Sequence, residues 1–168
     1  MEYKIRGWRL NDAADLARAV SNKNVQDNLR DGIPYPYGEV DAREYIRKML
    51  NANDNEVFAF AITLDDIAVG SIAVFRGTNV HRCTGELGYY VAEEHWNNGA
   101  VTAAIRQITE YIFHNTDIIR IFAEPFAYNA ASCRVLEKAG FVYEGTLRAN
   151  AVKNGEVLDM KMYALVKE

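Results

Sequence analysis

The chain has 168 residues, 49% hydrophobic and 25% charged, which suits one globular domain able to bury a core without staples. A formal net charge of −4 leaves no basic footprint for nucleic acid and favours cationic partners. The only cysteines, Cys83 and Cys133, lack CxxC or Cys/His spacing, and neither a signal-like N-terminus nor a membrane-length apolar run occurs. A reduced, cytoplasmic setting with no membrane partner and no metal is therefore expected.

In chain order, Tyr3 to Trp8 alternate apolar and charged side chains, as a half-wet strand does. Asn11 is a candidate cap for a helix whose stripe is Ala13, Leu16, Ala17 and Val20, with Asp12 and Asp15 in its first turn. The polar segment Ser21 to Arg30 suits a short second helix. The glycines and prolines of Asp31 to Gly38 then require a loop. Tyr35 and Tyr37 in that loop are candidate walls of a substrate site, and a packed surface loop accounts for them equally well.

A third helix spans Val40 to Leu50, followed by β-prone runs Val57 to Thr63 and Ile67 to Phe75 joined by a hairpin turn at Leu64-Asp65-Asp66. Gly70 marks a bulge or kink. The next stretch organises the rest: Glu86-Leu-Gly-Tyr-Tyr-Val91 reads as a strand, Asn97, Asn98 and Gly99 as a turn, and Val101, Ala104, Ile105, Ile108 and Ile112 as one helix face. Backbone N–H groups without partners, and the helix dipole, make such a helix start attractive to phosphate. An ordinary strand-to-helix connection accounts for the same residues.

Beyond it, Ile118 to Ala123 reads as a buried strand, Asn129 as the cap of a helix carrying Ser132, Val135, Leu136 and Ala139 on one face, and Gly140 as its stop. Strands Phe141 to Arg148 and Val157 to Val166 flank a polar turn, Ala149 to Glu156, that contains Asn154-Gly155. No repeat or linker interrupts the order. The reading is one α/β domain over residues 1–168, with about seven mostly antiparallel strands in a mixed α+β sheet and helices on both faces.

Three stretches carry a resemblance: Glu86-Leu-Gly-Tyr-Tyr-Val91 through Trp96-Asn-Asn-Gly-Ala-Val-Thr102, Asn129-Ala-Ala-Ser-Cys-Arg-Val-Leu-Glu-Lys-Ala-Gly-Phe141, and Glu144-Gly-Thr-Leu-Arg148 with Asp159 and Tyr163. In these the chain resembles the GNAT acetyltransferases, in particular the branch that acetylates N-terminal amines of ribosomal proteins. The resemblance implies a GNAT-like fold and transfer of acetyl from acetyl-CoA, bound as co-substrate, to a primary amine. It departs from the family's phosphate-loop pattern at Trp96 and at Val101, where a branched side chain stands in place of a small one, implying weaker cofactor binding or a displaced loop.

What the resemblance implies for individual residues is as follows. Tyr90, Val91, Asn97, Asn98, Gly99, Ala100, Val101, Thr102, Asn129 and Ser132 bind the cofactor. Glu86 accepts the amine proton, although its position alone favours a solvated or salt-bridged strand carboxylate. Ser132 protonates the departing thiolate. From the residues themselves, Tyr35, Tyr37 and Glu94 are candidates to line an acceptor cleft for a cationic amine, a solvated acidic turn accounting for Glu94 equally well, and Cys133 reads as a small buried residue. The acceptor is an N-terminal protein amine, or alternatively a polyamine or aminoglycoside-like amine. A non-catalytic acyl-CoA-binding module is the reading from another class, and a monomer or homodimer the expected assembly.

Overall fold

The structure, a computed structural model, describes residues 2–168. Strands β1 (Tyr3–Arg6), β2 (Val57–Leu64), β3 (Ile67–Arg76), β4 (Thr84–Val91), β5 (Arg120–Ala123), β6 (Val142–Lys153) and β7 (Glu156–Val166) form one seven-stranded sheet in the order β1-β2-β3-β4-β5-β7-β6. Every adjacent pair is antiparallel except β4 and β5, which are parallel. Helices α1 (Ala13–Val20), α2 (Lys23–Gln26), α3 (Glu39–Asn51), α4 (Ala100–Asn115) and α5 (Ala130–Lys138) complete the expected mixed α/β domain.

Strand alternation sends neighbouring side chains to opposite faces. Ile62, Ile72, Leu87, Val91 and Ile121 join Ile105, Ile108 and Ile112 of α4 and Leu136 of α5 in the larger core. On the other face Ala61 and Ala68 meet Leu16 and Val20 of α1 and Ala42 and Ile46 of α3. Each fully buried isoleucine or leucine contributes roughly 1.5–3 kcal/mol of transfer free energy, so the apolar stripe of α4 seats that helix firmly. Gln107 of α4 does more: its side-chain amide accepts from Ile5 N (3.0 Å) and donates to Tyr3 O (2.9 Å), serving β1 as a one-residue neighbour strand.

Several boundaries differ from the sequence reading. Strand β1 stops at Arg6 instead of Trp8. Asn11 caps nothing: it lies exposed in a single 3-10 turn, and Asp12 does the local work by accepting from Arg9 N (2.8 Å) and from the Arg6 guanidinium (2.8 and 2.9 Å). The turn after Arg148 shrinks to Asn154-Gly155, both at positive φ. Strand β6 reaches Lys153 because an irregularity between Leu147 and Ala151 absorbs the polar residues, with Ala149 N donating to Asp159 Oδ1 (2.7 Å). The β2–β3 turn falls at Asp65-Asp66, at φ 51° and 64°, as the hairpin signal implied.

The bulge expected near Gly70 lies beside it. Ile62 pairs with Gly70 and Thr63 with Ala68, leaving Val69 as the extra residue. A Cβ on residue 70 would stand 2.2 Å from the carbonyl oxygen of Tyr90, so only glycine lets β3 approach β4 this closely.

Candidate functional site

The parallel pairing of β4 with β5 covers only Thr84–Glu86 against Arg120–Phe122. Strand β5 ends at Ala123, and Pro125, with no N–H to offer, helps divert the chain. Past Glu86, β4 keeps β3 along one edge and has no strand along the other. A wedge with unpaired backbone groups on its β4 side therefore opens in the middle of the sheet. Such an edge suits an extended, amide-bearing ligand that hydrogen-bonds as a strand would.

At the far end of β4 the chain turns into α4. Asn97 (φ 63°) and Gly99 (φ 80°) take left-handed conformations, and Trp96 Nε1 donates to Val91 O (3.2 Å). The turn is also held from outside. Glu93 accepts from Asn22 Nδ2 (2.9 Å) and Asn24 Nδ2 (3.1 Å), and His95 Nδ1 hydrogen-bonds the Tyr3 hydroxyl at 2.9 Å. The first intrahelical bond runs from Ala103 N to Gly99 O, so the N–H groups of Ala100, Val101 and Thr102 precede the helical ladder. Ala100 and Thr102 are buried, and half-buried Val101 packs against the larger core. Asn97, Asn98 and Gly99 are exposed. Sixteen residues of aligned peptide dipoles stand behind this start, which favours an anion there.

Along β4, Glu86, Gly88 and Tyr90 share one face and Leu87, Tyr89 and Val91 the other. Glu86 is half-buried, and burial is the main cause pushing its carboxyl above the ordinary value; the Glu124 carboxylate adds to the rise and Arg30 opposes it. Tyr90 turns its ring into the smaller core beside Tyr37 and Tyr45, where Tyr45 OH lies 3.3 Å from Ser71 Oγ, and its carbonyl oxygen faces Gly70 of β3. Tyr89, which the sequence reading passed over, hydrogen-bonds Ser132 Oγ through its hydroxyl and joins β4 to α5 across the wedge. Strict alternation from Glu86 was the signal available for it. Burial holds that phenol well above its ordinary range, so it stays protonated.

Asn129 caps α5, its Oδ1 accepting from Ser132 N (3.1 Å), and thereby sets where Ser132 stands. Cys133 is buried among Leu136, Phe141 and Tyr163 of the larger core. The acceptor candidates separate. Tyr35 is 55% exposed, with Lys23 Nζ 5.4 Å from its ring centroid, while Tyr37 is 9% exposed and part of the smaller core. Burial and acidic neighbours push the Tyr37 phenol up to about 12. Glu94 is exposed on the turn before α4. Two surface hollows, of 370 Å³ beside Lys4, Arg6 and Asp66 and of 200 Å³ beside Trp8, Met49 and Tyr111, share no residue with the wedge.

Among the described residues no cluster of three His, Cys, Asp or Glu side chains could hold a metal, and no helix is long and apolar enough to cross a membrane.

Residues 3–142 match the family model described as the acetyltransferase (GNAT) domain. The probable N-acetyltransferase YjcK of Bacillus subtilis is 32% identical over 71% of this chain and 66% of its own length. The uncharacterized N-acetyltransferase YoaA of the same organism is 37% identical over 59% of this chain and 55% of its own. The match thus spans about two thirds of one relative and about half of the other. The putative ribosomal N-acetyltransferase YdaF, also from Bacillus subtilis, is 29% identical over 78% of this chain and 69% of its own. Two solved structures share the fold: the ribosomal-protein-S5-alanine acetyltransferase of Vibrio fischeri (TM-score 0.88, 19% identity, 100% of this chain and 94% of that one) and the spermidine N-acetyltransferase of Vibrio cholerae in complex with CoA and spermine (0.80, 20%, 98% and 95%).

Proposed function

The chain belongs to the GNAT acetyltransferase family, and from that premise we propose that it moves an acetyl group from acetyl-CoA directly to a primary amine, the N-terminal amine of a protein before any other. The observation that carries this reading is the wedge, with a carboxylate, Glu86, where β5 leaves β4 and a paired hydroxyl, Ser132, across from it.

The residues present fit acetyl-CoA. The edge of β4 that β5 leaves between Glu86 and Val91 offers backbone hydrogen bonds to an amide-bearing arm, with the Val91 carbonyl already taken by Trp96 Nε1, and the turn Asn97 to Thr102 offers N–H groups to phosphates. Asn129 and Ser132 border the same space from α5. Packing of Val101 against the core supports a cradle made of backbone, in which its branched side chain does not intrude. When bound, the thioester supplies an electrophilic carbonyl and a thiolate leaving group.

The remaining steps belong to the protein. Glu86 receives a proton from the acceptor ammonium, directly or through water, so that the neutral nitrogen forms its bond to the acetyl carbon as the carbon–sulfur bond breaks. Ser132 gives its proton to the departing sulfur and regains one, through water, from the acylated nitrogen as that nitrogen becomes a neutral amide, and Tyr89 supports the hydroxyl. An α-amine with pKa near ~8 is about one-fifth neutral at physiological pH, against roughly 0.1% for a lysine near ~10.4, so a single weak base suffices for an N-terminus. The names of YdaF and of the Vibrio fischeri enzyme agree with such an acceptor.

A small polyamine is the second reading, favoured by the fold shared with the spermidine enzyme and by the exposed Glu94. Mass spectrometry of a panel of peptides and polyamines after incubation with acetyl-CoA tests both. Acetylation at peptide N-termini is expected. Thermal stabilisation by acetyl-CoA with no acetylated product on any amine would leave a non-catalytic acyl-CoA-binding module.

A further inference from the structure

The mouth of the wedge on the Glu86 face gathers three charged side chains. Parallel register sets Glu86 beside Phe122, and alternation returns Glu124, two residues on, to that same face. Arg30, from the loop between α2 and α3, lies against Glu124 and near enough to Glu86 for its charge to be felt there. Its Nη2 donates to the backbone oxygen of Glu124 (2.9 Å), its guanidinium lies 5.5 Å from the centre of the Phe126 ring, and its charge acts on the Glu86 carboxyl. None of the three forms an ion pair among the described residues.

Several other arginines are spent on carboxylates, while Arg106, like Arg30, donates to a backbone oxygen. Arg6, Arg9, Arg76 and Arg120 each hold a carboxylate at 2.6–2.9 Å. Arg30 is instead oriented by a backbone oxygen and an aromatic ring, which leaves most of its five donors unspent. Its neighbours are fastened on both sides. Tyr128 OH donates to Asn28 Oδ1 (2.7 Å), Lys153 Nζ meets Asp31 Oδ1 (2.9 Å), and Asn154 Nδ2 donates to Asp27 Oδ1 (3.2 Å). A guanidinium held in place and not neutralised is suited to a ligand that brings an acceptor atom.

The ligand that satisfies all three groups carries an ammonium for the carboxylates and, two bonds from that nitrogen's carbon attachment, an oxygen for the guanidinium. An α-aminoacyl group has this arrangement, N–Cα–C=O. A polyamine has no oxygen, and a lysine side chain has none near its nitrogen. We infer that Arg30 is a specificity-determining residue that receives the first carbonyl oxygen of a peptide acceptor while Glu86 and Glu124 receive its α-ammonium. This rests on the acetyltransferase reading above and deepens it.

The test compares three acceptors: a tetrapeptide amide with a free N-terminus, the same peptide N-blocked with one internal lysine, and spermidine. For Arg30→Ala the ratio of kcat/KM on the free peptide to that on spermidine should fall about 10- to 100-fold, the scale of one charge-assisted hydrogen bond. The fall should appear in the peptide KM, with KM for acetyl-CoA and the melting temperature held. Arg30→Lys should recover only part of it, because a point charge cannot reproduce the planar fork. An unchanged ratio, or a wild-type preference for spermidine or for the lysine peptide, overturns the role of Arg30 and leaves acetyl transfer standing. Turnover on none of the three overturns both.

Discussion

The two sides of the wedge are built differently. The side running from β4 through Gly99 into α4 is continuous in sequence, and what it offers is backbone: an unpaired strand edge and the N–H groups of a helix start. The opposite mouth is assembled from residues 27–31, 124–128 and 153–154, and what it offers is side chains held by other side chains. A site made of backbone tolerates most substitutions and fails through shape. A site made of side chains keeps its shape and fails one group at a time.

Five substitutions sharpen or break that contrast. Glu86→Gln should have the largest effect, lowering kcat/KM about 10³-fold, within the usual range for loss of a general base, while acetyl-CoA affinity holds. The pH profile gives the sign. A carboxyl pushed up by burial and by Glu124 is protonated, and useless as a base, at a higher pH than an ordinary glutamate. The acid limb of wild-type kcat/KM should therefore lie at higher pH than an ordinary glutamate would give and be lost in the variant, and in Glu124→Gln it should move to lower pH. The same sign makes ionised Glu86 a cost to the fold above that pH, relieved on acidification as the native carboxyl takes up its proton. Ser132→Ala should lower kcat about 10²-fold with KM for acetyl-CoA little changed, measured in steady state. Wild-type kcat would remove the proposed proton donor.

Gly70→Ala tests the backbone side by shape alone. With the new Cβ driven against the Tyr90 carbonyl, a loss of about 1–3 kcal/mol in denaturant unfolding is expected, together with a raised KM for acetyl-CoA. Asp31→Ala should be the mildest. Its ion pair with Lys153, open to solvent on the Asp31 side, contributes about 1 kcal/mol or less, so the melting temperature should barely move while KM for a peptide acceptor rises about 3-fold. If Asp31→Ala disturbed acetyl-CoA binding and left the acceptor alone, the contrast between the two sides would fail.

How much of this was legible follows the same division. The strand, turn and helix around Glu86 to Thr102 could be read because each signal lies within a few residues of the next, and Asn129 because a cap acts on its own helix. Asn11 misled because the competing acceptor, Asp12, is drawn by the guanidinium of Arg6 across the turn. Tyr35 and Tyr37 looked equivalent in the loop, and only packing against α3 separates the exposed ring from the buried one. The path of β6 was hidden because Asp159, on the neighbouring strand, supplies the partner that Ala149 needs. Arg30 and Glu124 stand 94 positions apart, beyond the reach of any periodicity.

The Asn154-Gly155 turn illustrates what this means for anyone who alters the chain. A two-residue surface turn is ordinarily the cheapest place to splice in a tag or a foreign loop. Here the residues at its start, Lys153 and Asn154, grip the segment that carries Arg30. A graft at this tip would leave the fold standing and register as a change in which amines are accepted, which makes hairpin length a dial for retuning selectivity from outside the site.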